Sequence, residues 1–144
     1  MPGLATMTVI GVFVLAVLVF IFLKVRQGDL LAALMDKRRA SSKIVSRADY
    51  IEGAEKIPVA LALTADVVYY ENPDLEASFD LDRIDEIEYA EDVSTGKTMP
   101  EDSRVLRLRS HGATFEFVMT KAECAKWESL LSARRLGPAV AHAV

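Results

Sequence analysis

The sequence predicts one transmembrane α-helix followed by a mainly-β domain that a C-terminal α-helix closes. Three observations predict it. Residues 4–23 (LATMTVIGVFVLAVLVFIFL) carry no charge for twenty positions. From residue 48 onward, apolar side chains recur mostly at every second position, the period of a half-buried strand. From Thr120 the period becomes helical, with Trp127 on the apolar stripe. The chain has 144 residues, 51% hydrophobic, with a formal net charge of −4 and mean hydropathy +0.21. That length supports one domain and excludes the large barrel and doubly wound enzyme folds. One cysteine excludes an internal disulfide framework and any multi-cysteine zinc site, and two histidines give no basis for a His-rich metal or catalytic cluster.

The anchor comes first. Twenty helical residues cross a hydrocarbon core of about 30 Å, and a lone span in lipid must bond its own backbone, as only a helix can. A signal peptide would carry basic residues ahead of an apolar core of about 7–15 residues. Here the front is MPG and the run is longer. No cysteine follows closely to accept lipid, and Pro2 stands where myristoylation needs glycine. A buried helix of a soluble protein would show a polar face, which this run lacks. The expectation is a retained anchor over residues 1–23, in contact with the lipid bilayer through residues 4–23. Gly11 and Ala16 offer small surfaces to a neighbouring helix, without a GxxxG pair.

Residues 24–47 form a basic juxtamembrane segment. Lys24, Arg26, Lys37, Arg38, Arg39, Lys43 and Arg47 stand against Asp29 and Asp36, for +5. The positive-inside rule places the N-terminus outside and the C-terminal domain in the cytoplasm, at the cell inner membrane; a lone reduced cysteine suits that compartment. Gln27-Gly28-Asp29 interrupts the apolar pattern before Leu30, Leu31, Leu34 and Met35 recur at helical spacing. Either Asp29 caps a new helix or the first helix runs on through Gly28 at a cost of about 1 kcal/mol. Lys37-Arg38-Arg39 suits the negative end of a helix, and Ala40-Ser41-Ser42 is a short linker. The seven basic residues either set topology alone or form a membrane-surface set, each worth about 1 kcal/mol near anionic lipid.

Over residues 48–136 the balance reverses, with ten basic and nineteen acidic residues remaining, for −9. Nucleic acid and an anionic leaflet both repel such a domain. A short strand is expected around Tyr50, then strands over 59–64, 67–70 and 77–81, with turns at 64–66 and 72–74. Ile84, Ile87 and Tyr89 continue into another strand, and residues 91–103 read as a long exposed loop. RVLRLRS, HG, ATFEFVM is a hairpin signature. Centring the turn on His111-Gly112 sets Leu108 opposite Phe115, Arg107 opposite Glu116 and Leu106 opposite Phe117, and it gives His111 a turn role. Thr120-Lys121-Ala122-Glu123 fits a capping box. Cys124, Trp127, Leu130 and Leu131 form the helix's apolar stripe, Arg134 and Arg135 suit its end, and Gly137-Pro138 stops it. Residues 137–144 read as a disordered tail.

Up to seven short strands and then one helix with a central tryptophan resembles the pleckstrin-homology (PH) superfold. More narrowly it is similar to the bacterial PH-like and GRAM-like domains found beside membrane helices. ALTADVVYYEN, SFDLDRIDEIEYAED, VLRLRSHGATFEFVM and the Trp127 helix carry the likeness. The resemblance implies about seven antiparallel strands in two packed sheets, capped by the C-terminal helix. Lipid-binding PH domains cluster Lys and Arg between their first two strands, whereas Glu52-Gly53-Ala54-Glu55-Lys56 is mostly acidic. The resemblance therefore implies a protein-binding or scaffold module.

Other motifs lead nowhere. Gly96-Lys97-Thr98 has Glu91, not glycine, five residues before Gly96, so it makes no phosphate cradle. An EF-hand loop starting at Asp80 needs glycine where Asp85 stands. No catalytic residue, metal site or cofactor is expected. The expectation is a non-enzymatic single-pass scaffold whose partners are other membrane protein subunits and not nucleic acid, an auxiliary subunit of a larger membrane complex being one form of it. The competing expectation is a lipid-responsive module that reads anionic lipid through the basic segment.

Overall fold

In the computed structural model, which describes residues 3–96 and 99–135, the anchor and the juxtamembrane segment are one helix. Helix α1 (Gly3–Arg39) runs 37 residues through Gly28 without restarting at Asp29, about 55 Å at 1.5 Å per residue. Among the described residues it is the helix long and apolar enough to cross a membrane. Its first two dozen residues stand exposed on every side, Phe13 and Phe20 included. Past Gly28 one stripe is covered instead. Gly28, Leu34, Met35 and Arg38 are half-buried and Leu31 is fully buried, the three- and four-residue spacing of one helix face. That docking offsets the glycine's helical cost.

Seven antiparallel strands follow: β1 (Ile44–Glu52), β2 (Glu55–Leu63), β3 (Val67–Asn72), β4 (Leu75–Asp80), β5 (Glu86–Ala90), β6 (Ser103–Ser110) and β7 (Ala113–Thr120). Then come helix α2 (Lys121–Leu130) and a two-residue strand, β8 (Arg134–Arg135). The strands make one sheet in the order β4-β3-β2-β1-β7-β6-β5-β8. Two packed sheets were expected. They are joined because Tyr50 of β1 lies opposite Ile57 of β2 on one side and Phe117 of β7 on the other. The single sheet still encloses a core by curling. Strands β4 and β7 are four steps apart, about 19 Å in a flat sheet, yet the rings of Phe79 and Phe115 are 4.6 Å apart.

The hairpin register is as expected, with Leu108 opposite Phe115, Arg107 opposite Glu116 and Leu106 opposite Phe117. His111 (φ 51°) and Gly112 (φ 79°) both take positive φ, which matches a two-residue turn to the strand twist.

Trp127 and Cys124 of α2 are completely buried against the inner face. Thr120 caps α2 by accepting from the Glu123 N–H at 3.3 Å. The Glu123 carboxylate does not return to Thr120 as a capping box requires. It accepts from the Ser46 hydroxyl and pairs with Lys126 at 3.0 Å, and Ser46 in turn accepts from Trp127 Nε1 at 3.0 Å. Leu130 is exposed, unlike the rest of its expected stripe, because the chain leaves the helix at Leu131. Arg134 and Arg135 do not end α2. They pair with β5, and the Arg134 guanidinium donates to the carbonyls of Leu81 and Ile84. Leu136, the Gly137-Pro138 stop and the tail over 137–144 lie outside the described residues, as do Lys97 and Thr98.

The loop after β5 is not simply exposed. Val93 is buried with Ile51, Val105 and Val118 on the outer face of the sheet. A latch holds it there: Glu116 accepts from the Ser94 N–H at 3.0 Å and from Arg107, which also donates to Glu88 and to the Asp92 carbonyl. Burial alone would raise the Glu116 pKa, but the hydrogen bonds from Ser94 and Arg107 outweigh it and hold the carboxyl below its ordinary value. Such a carboxyl contributes stability above its unfolded pKa of about 4.3, lost as pH falls through the lower folded value. Acidification below about pH 4 is therefore expected to release the loop. Protection of the Ser94 amide against hydrogen exchange, corrected for the intrinsic rate, measures it. Glu116→Gln should show the loss already at neutral pH; unchanged protection in that variant would mean Val93 alone holds the loop.

Candidate functional site at the helix and sheet junction

Alternation along β2 sends Val59, Leu61 and Leu63 into the core and Ala60 and Ala62 to the outer face, where both are fully buried. Helix α1 lies on that face, against β1, β2 and β3. Two alanines leave a shallow floor on which a helix can lie close. Tyr69 and Glu71, their partners on β3, form one wall of this bed. Arg38 reaches them: its Nε is 2.6 Å from Glu71 Oε1, its guanidinium is 4.1 Å from the Tyr69 ring centre, and Glu76 lies at 3.5 Å. The Glu71 side chain is only 6% exposed, so the pair is a buried clasp between helix and sheet.

Toward its apolar half the helix stands off from the sheet. Pro58, two residues before Ala60 on the same face, is exposed, and a crevice of about 330 Å³ opens there. Lys24 and Gln27 of α1, Arg47 of β1, Lys56 of β2 and the turn residues Asn72 and Asp74 line it. Its level follows from helix and strand rise. Lys24 is fourteen residues before Arg38, about 21 Å along the helix. The same distance along β2 from Ala60, opposite Glu71, is about six residues and reaches the β1–β2 turn. The β1–β2 and β3–β4 turns thus sit beside the first residue after the apolar run.

The seven basic residues expected at the membrane surface have different places. Lys24 and Arg47 both line the crevice. Arg38 is in the clasp, and Arg39 pairs with Asp36 at 2.8 Å. Arg26, Lys37 and Lys43 are exposed, and the Lys43 N–H donates to Leu63. Sequence reasoning missed Lys56. Its signal was the alternation Lys56, Pro58, Ala60, Ala62 on one face, hidden because both faces of β2 are covered.

Elsewhere the buried ionisable groups are structural. Burial pushes the Cys124 thiol up to about 11, so it stays protonated and unreactive. Burial likewise raises the Tyr89 phenol, which donates to the Leu131 carbonyl. Tyr70, inside the aromatic cluster, is pushed up to about 12, first by burial and then by Tyr50. Among the described residues no three His, Cys, Asp or Glu gather as a metal site.

No protein-family model matches the chain, and no curated protein matches it. One solved structure to which it is similar is the C-terminal domain of an unknown protein from Leishmania infantum. The two are 13% identical with a TM-score of 0.49, over 63% of this chain and 81% of that one.

Proposed function

We propose that this chain is a non-enzymatic, single-pass membrane protein whose PH-like domain is a protein-interaction scaffold, an auxiliary subunit of a larger membrane complex. The +5 segment after the span favours a cytoplasmic domain at the inner membrane. The observation that carries the reading is the hinge-free mount: α1 passes from the apolar run into the Leu31 and Arg38–Glu71 contacts without a break. A domain held so close to a bilayer presents a fixed surface to its neighbours.

The surface that suits a partner is β4, the open edge of the sheet. Leu81 N–H bonds the Asp66 carbonyl, which fixes the ladder phase so that Glu76, Ser78 and Asp80 turn their backbone groups outward. All three side chains are exposed and two are acidic. An extended basic segment of a partner fits this edge as an added strand. The test is recovery of tagged full-length protein in mild detergent, sized by native gel and identified by mass spectrometry. A stoichiometric membrane complex that Ser78→Pro abolishes is the expected result, since proline there removes an outward N–H and spares the ladder to β3. A solitary monomer carrying only lipid would overturn the reading, as would a complex indifferent to Ser78→Pro.

A further inference from the structure

Among the described residues, some cations of this chain meet a carboxylate and others do not. Seven arginines and lysines, all but two of them on the sheet domain, have carboxylate partners. Lys24, Arg47 and Lys56 have none among the described residues, although nineteen acidic residues lie in the sheet domain; Arg26, Lys37, Lys43 and Lys121 have none either, and what sets the first three apart is that they line one recess. Three elements bring these three cations to one crevice, beside the residue where the apolar run ends. The Lys24 ammonium lies 5.5 Å above the Phe20 ring, which leans it back along the helix toward the span. Asp74 is the one carboxylate lining the crevice, so its lining carries +2. The Asp74 N–H and the Asn72 side chain close the β3–β4 turn against Pro58, which fixes the far wall. Three unpaired cations lining one recess beside the end of the apolar run suit an anion, and on the reading that this run spans a bilayer the anion at that level is a lipid phosphate.

We infer that the crevice formed by Lys24, Arg47 and Lys56 holds the phosphate headgroup of an anionic phospholipid from the leaflet that α1 leaves at Leu23. The site belongs to the junction: neither the anchor nor the sheet has it alone. It also reconciles an acidic domain with its position. On the same reading Glu52 and Glu55, at the tip of the β1–β2 turn, lie on the bilayer side, where a bound headgroup neutralised by three cations shields them from the leaflet's own charge. Distant cations such as Lys37 and Lys43 take no part, which separates this site from general attraction of a basic segment to the surface.

The experiment uses full-length protein in nanodiscs of phosphatidylcholine with and without phosphatidylglycerol, with retained lipid counted by native mass spectrometry. Wild type is expected to retain phosphatidylglycerol over phosphatidylcholine by at least about tenfold, within what three cations near a surface supply. Replacing Lys24, Arg47 and Lys56 together by glutamine should remove that preference, and Lys56→Arg should keep it. Replacing Arg26, Lys37 and Lys43 by glutamine removes the same charge outside the crevice and should leave the preference unchanged. Equal loss in both triple variants, or no preference in wild type, would overturn the inference. A further arm adds glycerol 3-phosphate or inorganic phosphate to phosphatidylcholine-only discs. Saturable binding there that the crevice variant abolishes would assign the site to a soluble phosphate and also overturn the lipid reading. None of these outcomes depends on whether β4 receives a partner.

Discussion

Trp127→Ala is expected to destabilise the sheet domain by about 3–5 kcal/mol, the range for removing a large aromatic side chain from a core. Trp127 is completely buried, so its loss leaves a cavity that α2, short and tied at Thr120, cannot collapse to fill. The polar part of the loss is specific. Trp127 Nε1 donates to Ser46, and Ser46 donates to Glu123, so the indole links α2 to β1 across the curled sheet. Trp127→Phe keeps most of the apolar area and breaks that link, and should cost about 1–3 kcal/mol. The chain's one cysteine supplies the readout. Cys124 is buried beside Trp127 on α2, and pulsed alkylation of its thiol in a denaturant series reports unfolding of the sheet domain separately from the apolar helix. A loss below about 1 kcal/mol in the alanine variant would remove Trp127 from the core.

The second large effect belongs to the clasp. Arg38→Ala leaves the Glu71 carboxylate buried without its partner, and breaking a buried pair from one side costs about 3–5 kcal/mol. The lower end applies, since the Arg38 side chain is 17% exposed. Glu71→Ala should cost less, because Arg38 keeps the Tyr69 ring and Glu76. The penalty falls on the junction: protease cleavage in the Ala40–Ser42 linker should accelerate while Cys124 stays protected. Arg39→Ala is the control. Its pair with Asp36 is exposed on both sides and such pairs contribute about 0–1 kcal/mol. If Arg38→Ala cleaves no faster than Arg39→Ala, the clasp does not hold the helix to the sheet.

What could be read without coordinates was what neighbours in sequence decide. The β6–β7 register followed from pairing Leu with Phe and Arg with Glu across two turn residues, and the Thr120 cap from four consecutive positions. The continuous sheet was hidden because Tyr50 meets Phe117 across 67 positions, and no local pattern says that β1 bonds on both sides. Ala60 and Ala62 looked merely apolar; only α1 above them explains why that face of β2 is small. The same blindness set Arg38 among the surface cations. Its three neighbours there, Glu71, Glu76 and Tyr69, are more than thirty residues away, and proximity in space is what turns a basic run into one clasped arginine and a separate pair of crevice residues. Glu123 was misread in this way too, since Ser46 competes for its carboxylate from 77 positions off.

An unbroken helix also keeps angular register. Each residue turns the chain by about 100°, so the azimuth of the sheet around the helix axis is set by residue count in the apolar run. Gly11 and the docked Leu31 are twenty residues apart, about 200° around the axis. The small surface at Gly11 therefore looks away from the side that carries the sheet. One residue inserted just after Leu23 would swing the domain by about 100° and shift it by about 1.5 Å relative to the apolar run, while leaving every contact inside it intact.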